Sequence, residues 1–571
     1  MEQTIKRTNR PLWRGLLSAA LTLSVILSGC GGGPDVSKSP DIETAPEVVD
    51  TPEPAAPAAR PVLGLTLNTD YHYDEGLGMV VNSMETYLPG ADAATREEYP
   101  ELCAALDRFR ETALANAREA YQDREAMLPP EDPGQAFGGE VRSLIRRADA
   151  RVVSIVNYWW DYSGGAHMSY GYGAANFDTA TGAEITLGDI LTEEGKLTIN
   201  SRIGQELNTV YASLSPGGMV ADYLLDDYTF SLEPDGVTFW FNPYEIASYA
   251  DGLLTVKLYF DRDADLLRDA YKGDYDAWFV EIGTEAPYRF AAADGNAFRT
   301  VEAWEIEEPD YPDWYSAFAL EFDAPQGSER WADRPAAEDL DTDWTAPEGR
   351  NIVLDNTGFF DGNYYYAHLP EGDYVIVDLS MEDDSNGIIM YGADGASVGT
   401  MEMTRLGYFS YPEPPEDSST VDDWSLYVFY NAVPTDPYNV PLYTRMDLFG
   451  TWSASGTYRL TPAGFRLMGD LLYQTGEYVL TLQQDLTVTR RAADNWTVSM
   501  EEDVTLPAGT EAEVAATDGN GTVFFRATNP PEELSTDLIF ALKYDDGPEE
   551  WSRNVGGVPE DELFDGLLYA G

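Results

Sequence analysis

The chain has 571 residues, with 35 Lys and Arg against 100 Asp and Glu, and its formal net charge at pH 7 is −65. This length is enough for several domains with sizeable hydrophobic cores. The excess of acidic side chains argues against nucleic acid as a partner, because binding to phosphates depends on Lys and Arg. Aromatic residues make up 12% of the chain, which argues against disorder for most of its length.

The N-terminus has the pattern of an export signal. A basic leader precedes an apolar run at residues 16–27, which is too short for a comfortable transmembrane helix. The next residues, Leu27-Ser28-Gly29-Cys30, resemble the lipobox of bacterial lipoproteins. The resemblance implies that residues 1–29 are a lipoprotein signal peptide. It also implies that Cys30 is acylated and anchors the mature chain to the cell membrane, facing the extracellular side. The open alternative is an uncleaved membrane anchor with a chance cysteine.

Residues 30–61 comprise the acylated cysteine and a flexible tether. The tether is rich in Gly, Pro, Ala and acidic residues and has no apolar periodicity, so it cannot bury a core. The chain has two cysteines, so acylation of Cys30 would leave Cys103 without an intrachain disulfide partner. Cys103 lies between Leu102 and Leu106 in a helical pattern, which favours a buried structural thiol over a nucleophile.

Residues 62–294 are predicted to form an α+β domain with an antiparallel sheet and packed helices, because strand and helix patterns occur in runs. The predicted strands are 62–67, 79–87, 151–160, 228–232, 237–242 and 253–260, and the predicted helices are 97–126 and 197–214.

An aromatic stretch at residues 157–191 organises this domain. It contains a Gly164-Gly165 turn, a hairpin turn at Thr181-Gly182, and a helix start near Asp189. The stretch resembles a domain of unknown function shared by lysozyme-sensing anti-sigma factors and the non-catalytic part of a peptidoglycan deacetylase. The resemblance covers about residues 61–290. The matching motifs are residues 162–167, 176–178, 181–182 and 187–191, and a second group at 241–252.

Short strand patterns separated by turn signals replace helical periodicity after residue 295. Residues 295–475 are predicted to form a β-sandwich-like module. Residues 476–571 are predicted to form a small β-barrel module with spacing somewhat like that of a bacterial SH3-type domain. The predicted fold is therefore an α+β N-terminal region followed by all-β modules.

Residues with catalytic potential are few and scattered. His72, His167 and His368 are far apart and match no metal-binding pattern, so no metal and no cofactor is predicted. Gly395–Gly399 fits the Gly-x-Ser-x-Gly pattern of a nucleophile elbow around Ser397. That pattern requires a strand, a turn and then a helix, whereas the surrounding residues indicate a hairpin.

The predicted ligand-binding residues are Tyr162, Gly164, Gly165, His167 and Tyr170. The glycines allow another backbone to approach, and the tyrosines offer wide contact area with a polar tip. Two interpretations of His167 stay open. In one, the imidazole contacts a ligand; in the other, it bonds a backbone carbonyl and fixes the turn.

Two classes of function are compatible with these patterns. The favoured one is a surface-tethered, non-enzymatic binding or sensing lipoprotein of the cell envelope, whose ligand is a cell-wall polymer or a cationic protein such as lysozyme. The alternative is an envelope glycan hydrolase or a deacetylase accessory protein, which would need a paired acid and base that the sequence does not reveal. An anti-sigma role is disfavoured, because only about a dozen residues precede the apolar run.

Overall fold

The computed structural model describes thirteen ranges of the chain: 60–128, 136–291, 298–307, 315–324, 345–356, 358–359, 361–380, 386–407, 409–410, 430–493, 495–530, 538–547 and 552–569. These residues fall within one compact unit, Arg60–Gly571. Cys30 and residues 31–59 of the predicted tether lie outside the described residues. The predicted tether extends too far, because Arg60 belongs to the folded unit and donates to the Thr435 carbonyl oxygen at 3.0 Å. No helix in the described ranges is long and apolar enough to cross a membrane.

The N-terminal sheet begins with five strands that are contiguous in space. These are β1 (Leu63–Asp74), β2 (Met79–Ala91), β3 (Gly138–Ala148), β4 (Val152–Tyr162) and β5 (Ser169–Asp178). Neighbours pair antiparallel except β2 and β3, which are parallel. Helices α1 (Ala93–Glu98) and α2 (Pro100–Glu125) lie between those two strands, and a parallel pair requires such a crossover.

Helix α2 packs one apolar stripe against the sheet. Leu102 and Leu106 are buried, and Pro100 occupies the first turn, where its missing N–H is not needed. Cys103 is buried and its Sγ lies 3.8 Å from the Thr95 carbonyl oxygen. Burial raises the pKa of the Cys103 thiol. The prediction of a buried structural thiol is confirmed.

A second core forms where helices meet a three-stranded sheet. The elements are α3 (Leu187–Ile190), α4 (Glu193–Val210), β6 (Thr229–Leu232), β7 (Gly236–Phe241) and β8 (Leu254–Tyr259). Short 3-10 helices cover Pro216–Val220, Leu225–Asp227, Tyr249–Asp251 and Asp269–Tyr271. Asp189 lies in the first turn of α3, where its carboxylate accepts a hydrogen bond from the Thr186 N–H at 2.9 Å. Ile199, Ile203 and Leu207 form the buried stripe of α4, as the sequence pattern predicts.

The remainder of the described chain is almost entirely β. Its strands are β9 (Trp278–Ile282), β10 (Tyr288–Ala291), β11 (Phe298–Glu307), β12 (Tyr315–Phe322), β13 (Asn351–Asp355), β14 (Asp361–Leu369), β15 (Gly372–Ser380), β16 (Asn386–Gly392), β17 (Ser397–Glu402), β18 (Thr404–Leu406), β19 (Phe409–Ser410), β20 (Tyr430–Ala432), β21 (Val440–Asp447), β22 (Thr451–Thr461), β23 (Gly464–Leu467), β24 (Leu472–Gln474), β25 (Val479–Leu482), β26 (Leu486–Ala492), β27 (Asn495–Leu506), β28 (Glu511–Thr517), β29 (Thr522–Ala527), β30 (Ile539–Lys543), β31 (Asp545–Asp546), β32 (Arg553–Val555), β33 (Val558–Pro559) and β34 (Phe564–Asp565). A single short helix in this part, α5, covers Glu560–Leu563.

These strands form several sheets. The orders are β10-β11-β12-β13, β17-β16-β15-β14-β9, and β31-β32-β33. A twelve-stranded sheet has the main path β18-β21-β22-β24-β28-β29-β30-β26-β27, with β23, β25 and β34 attached to it. The predicted fold class is confirmed: an N-terminal sheet with helices is followed by several further sheets.

Strand pairing links the predicted domains. β20 pairs with β1 and β9 pairs with β14, so both pairs cross the predicted boundary after residue 294. β24 pairs with β28 across the predicted boundary after residue 475. The domain boundaries stay predictions, and any domain cut at these positions would lose strand partners.

Candidate ligand-binding site

The β4–β5 hairpin positions the predicted ligand-binding residues. Its register pairs Trp160 with Tyr170, and the connecting loop follows Tyr162. Gly164 and Gly165 have φ of 91° and 113°, conformations that L side chains rarely adopt. The Tyr162 hydroxyl donates to the Gly165 carbonyl oxygen at 3.2 Å. The sequence prediction of a glycine-dependent turn is confirmed.

His167 is exposed at the end of this loop. Its ring stacks on Tyr249, with centroids 4.0 Å apart and planes inclined by 28°. The His167 Nδ1 lies 2.9 Å from the Met168 carbonyl oxygen, and the Tyr249 hydroxyl donates to the same oxygen at 2.8 Å. The contact with a backbone carbonyl is the one that the structural interpretation predicts. The exposed face of the imidazole leaves the ligand-contact interpretation open.

Two further tyrosines extend the stacked pair into a wider surface. Tyr170 meets Tyr249 edge to face at 5.3 Å, and Tyr244 lies 5.7 Å from Tyr249. Tyr244 is 70% exposed and has a φ of 66°, which is rare for a bulky residue. His167, Tyr170, Tyr244 and Tyr249 are called the tyrosine platform below. Sequence analysis placed Tyr244 and Tyr249 in the second motif but not in the site.

Asn242 links the second motif, residues 241–252, to strand β5 of the hairpin. Its Oδ1 accepts from the Tyr172 N–H at 2.6 Å, and its Nδ2 donates to the Tyr172 carbonyl oxygen at 3.1 Å. β5 is the terminal strand of its sheet, so the amide satisfies backbone groups that an edge strand leaves unpaired. A Cβ at Gly171 would come within 2.7 Å of the Asn242 Oδ1. A glycine is therefore needed there for close approach.

A buried aromatic layer supports the platform. Tyr172 packs against Tyr158 at 5.5 Å and against Trp240 at 4.4 Å. The Tyr172 hydroxyl donates to Glu285 Oε2 at 2.9 Å. Burial raises the pKa of Tyr172 well above its ordinary value, and the Glu285 carboxylate acts in the same direction. These phenols stay neutral, so their role in this layer is packing and hydrogen bonding.

A buried ionic cluster lies on neighbouring strands. The Glu233 carboxylate lies 2.5 Å from Arg146 Nη2 and 2.6 Å from Lys257 Nζ. Lys257 Nζ also lies 2.7 Å from the Asp235 carboxylate. Arg146, Glu233 and Lys257 are almost fully buried. Burial alone would raise the pKa of Glu233, but Arg146 and Lys257 outweigh it and lower that pKa. A cavity of about 10 Å³ beside Arg146 has room for one water at most. The cluster is therefore structural, and sequence analysis did not find it.

The other residues with catalytic potential are dispersed among the described residues. His72 lies 2.6 Å from Glu125, and His368 lies 2.7 Å from Asp373. Ser397 is exposed and pairs with Tyr391 in the β16–β17 hairpin. Because a strand and not a helix follows the turn, the geometry of a nucleophile elbow is not formed. The described residues contain no group of three or more His, Cys, Asp or Glu that could hold a metal ion.

Residues 189–261 match the model of a family described as a protein of unknown function, DUF3298. This segment is similar to the DUF3298 family. It begins within α3 and ends just after β8, so it contains Asn242, Tyr244 and Tyr249 but not the Gly164-Gly165 turn. Two of the four residues of the tyrosine platform, Tyr244 and Tyr249, therefore lie in the segment that matches the family model.

Two crystal structures of DUF3298 family proteins are similar to part of the chain. One, from Bacteroides fragilis NCTC 9343, is 16% identical, covers 38% of this chain and 95% of its own, and has a TM-score of 0.29. The other, from Pseudomonas aeruginosa PAO1, is 15% identical, covers 37% of this chain and 97% of its own, and has a TM-score of 0.28. No curated protein matches the chain.

Proposed function

We propose that the protein is a surface-tethered lipoprotein of the bacterial cell envelope that binds or senses a ligand without catalysing a reaction. The tyrosine platform is the proposed ligand face, together with the Tyr162, Gly164 and Gly165 turn beside it. The observation that carries the proposal is Tyr244, whose ring is 70% exposed while its backbone has a φ of 66°. Tyr244 is thus an exposed tyrosine in a backbone conformation that favours glycine. Such backbone strain is typical of functional sites.

The proposed anchor is a lipid on Cys30, and the support for it is the sequence Leu27-Ser28-Gly29-Cys30 after a basic leader and an apolar run. Cys30→Ala should abolish lipidation and signal removal at this position. Intact-mass measurement and detergent partition of the wild type and the variant test this. Membrane partition of the variant at the processed wild-type size would contradict the anchor.

The proposed ligand is a cationic protein such as lysozyme. Two observations support it: the net charge of −65, and the resemblance of residues 61–290 to a domain of lysozyme-sensing anti-sigma factors. Long-range attraction to an acidic protein speeds the encounter with a basic partner. Salt screens such attraction over about 10 Å at an ionic strength of 0.1 M, so binding should weaken as salt is added.

A cell-wall polymer is the second candidate ligand. The closely spaced rings of the exposed His167 and Tyr244 and of the half-buried Tyr249 favour it, because aromatic side chains provide large rigid contact surfaces with a polar edge. Binding to such a polymer should depend little on salt if the polymer is uncharged. Salt dependence therefore separates the two ligands.

The decisive experiment measures binding of lysozyme and of purified wall fragments, each at low and moderate salt. The variants are Tyr244→Gly and His167→Ala, and the matched control is Tyr473→Ala, which removes an exposed tyrosine outside the platform. Tyr244→Gly should weaken binding about tenfold or more, the usual loss at an aromatic hot spot. It should leave the free energy of unfolding unchanged or raise it by up to about 1 kcal/mol, because glycine tolerates a positive φ.

Each outcome is informative. Loss of binding in a well-folded Tyr244→Gly protein, with normal binding by Tyr473→Ala, supports the platform as the ligand face. Equal binding by wild type and Tyr244→Gly would exclude it. Absence of binding to both ligands by the wild type would exclude both ligand proposals.

A further inference from the structure

The β22–β23 hairpin places two arginines opposite each other. Arg459 and Arg466 are a cross-strand pair in the antiparallel register, and both are exposed. Their neighbours Tyr458 and Leu460 are buried on the other face of the hairpin, as alternation along a strand requires. Directly opposed like charges destabilise a strand pair. An anion bound between the two guanidinium groups would relieve this repulsion.

Among the described residues, no carboxylate lies within ion-pair distance of either arginine. Arginines elsewhere typically contact carboxylates, as Arg202 does with Asp263 at 2.8 Å and Arg299 with Asp323 at 2.9 Å. Within the described ranges, neither guanidinium group forms an ion pair with a carboxylate, and the partner of Arg459 is the neutral side chain of Tyr438. Acidic residues outnumber basic ones by 100 to 35, so two adjacent arginines without an ion pair to a described carboxylate are an exception to the general pattern of this chain.

The two arginines line a groove of about 470 Å³. That volume lies in the range of small-molecule sites, roughly 300–1,000 Å³. The Tyr438 ring forms part of the wall, and the Arg459 guanidinium lies 4.2 Å from its centroid. The exposed Glu371 also lines the groove. The groove is thus lined by two guanidinium groups, one aromatic ring and one carboxylate.

We propose that this groove binds an acidic saccharide, that is, a sugar bearing a carboxylate or a phosphate. The anionic group would accept hydrogen bonds from Arg459 and Arg466, because guanidinium forks match the geometry of both anions. The sugar ring would lie against Tyr438, and a sugar hydroxyl would donate to Glu371. The site shares no residue with the tyrosine platform and does not depend on the function proposed above.

Glu371 narrows the ligand class. A bare anion would gain from the two arginines but would be repelled by this carboxylate. A sugar acid carries hydroxyl donors as well as the anionic group. Its anionic group can therefore bind the two arginines while a hydroxyl group donates to the Glu371 carboxylate. The geometry therefore favours an acidic saccharide over an inorganic anion.

Three matched sugars test the site: glucose, glucuronate and glucose 6-phosphate, which differ in the group at one carbon. Their dissociation constants are measured by calorimetry with the purified full-length protein. Glucuronate or glucose 6-phosphate should bind at least about tenfold more tightly than glucose, since charge-assisted hydrogen bonds are the strongest in such sites. The tighter of the two identifies the anionic group as carboxylate or phosphate.

Arg459→Gln and Arg466→Gln should each weaken binding of that sugar about tenfold or more. Arg108→Gln is the matched control, because Arg108 is an exposed arginine on α2 whose side chain contacts no carboxylate of the described residues. Thermal melting checks folding, and the Gln variants should melt no lower than wild type because a like-charge pair is relieved. Equal binding of all three sugars, or unchanged binding by both Gln variants, would overturn the proposal. Weaker binding by Arg108→Gln to the same extent would overturn it as well.

Discussion

The side-chain amide of Asn242 pairs with both backbone polar groups of Tyr172, at 2.6 and 3.1 Å. The amide thus occupies the place that a neighbouring strand would take at the free edge of β5. The backbone N–H of Asn242 in turn donates to Glu245 Oε2 at 3.0 Å. This hydrogen bond fixes the turn that carries Tyr244. The β4–β5 hairpin and the second motif at residues 241–252 are therefore one structural unit, although 70 residues separate Asn242 from Tyr172.

Asn242→Ala should destabilise the protein by about 1–3 kcal/mol, because it leaves two backbone groups of an edge strand without partners. Urea unfolding of the wild type and the variant measures the change. Asn242→Asp is the informative second variant: it keeps the acceptor for the Tyr172 N–H but loses the donor to the Tyr172 carbonyl. An unfolding free energy of Asn242→Ala within about 0.5 kcal/mol of wild type would contradict the role of the amide.

Gly182→Ala should cost about 2–4 kcal/mol. Gly182 has a φ of 64°, and a Cβ there would lie 2.2 Å from the Glu101 carbonyl oxygen on α2. Both the backbone conformation and the close contact oppose a side chain. Gly173→Ala is the matched control in β5, because its Cβ would meet nothing within 4 Å. Similar melting temperatures for the two alanine variants would refute this explanation.

Acid should destabilise the protein through Glu233. Its folded-state pKa is lowered, so its full contribution to the free energy of unfolding is present above the ordinary value of 4.5. That contribution is lost as the pH falls below 4.5 toward the lowered value. Urea unfolding as a function of pH should therefore show a falling unfolding free energy on the acid side.

Glu233→Gln should cost about 3–5 kcal/mol at neutral pH, because Arg146 and Lys257 stay buried without their shared anion. The variant should also lose less stability than wild type as the pH falls through the acid range. Glu513→Gln is the control, since its partner Arg526 is partly exposed and such surface pairs contribute about 0–1 kcal/mol. Identical acid profiles of wild type and Glu233→Gln would assign the acid sensitivity to other carboxylates.

Cys103 should be unreactive in the native state. Its thiol is buried and burial raises its pKa, so little thiolate is present at neutral pH. Maleimide labelling of a chain that begins at residue 61 reports on this thiol alone. We expect labelling only after addition of guanidinium chloride. Rapid stoichiometric labelling in native buffer would show that the thiol is accessible.

Local sequence signals predicted much of the N-terminal region. The Gly164-Gly165 turn, the α4 stripe and the β4 strand follow from residue conformational preference and periodicity. The fold class followed from the change in periodicity near residue 295. The helix predicted at 97–126 matches α2 but starts within the last two residues of α1, because Tyr99 separates the two helices without a glycine or a side-chain cap.

Long-range pairing could not be predicted in the same way. Nothing local to Asn242 shows that it meets β5, and nothing local to Lys257 shows that its strand faces Glu233. Tyr244 and Tyr249 were found as parts of a motif, but their stacking with His167 depends on that tertiary contact. The motifs therefore contained the residues of the platform, whereas the fold was needed to show that Tyr244 and Tyr249 join His167 and Tyr170 in one site.

The pairing of β1 with β20 can form only late in the synthesis of the chain. Leu65 aligns with Asn431, so the ribosome must add about 366 residues after β1 before its neighbour exists. At about 5–20 residues per second, that interval is roughly 20–70 s. Throughout it, one edge of the N-terminal sheet has no strand to cover it, and an uncovered edge is a template for pairing between nascent chains. A holding chaperone, or folding of this sheet only after residue 432 has been made, would prevent such pairing.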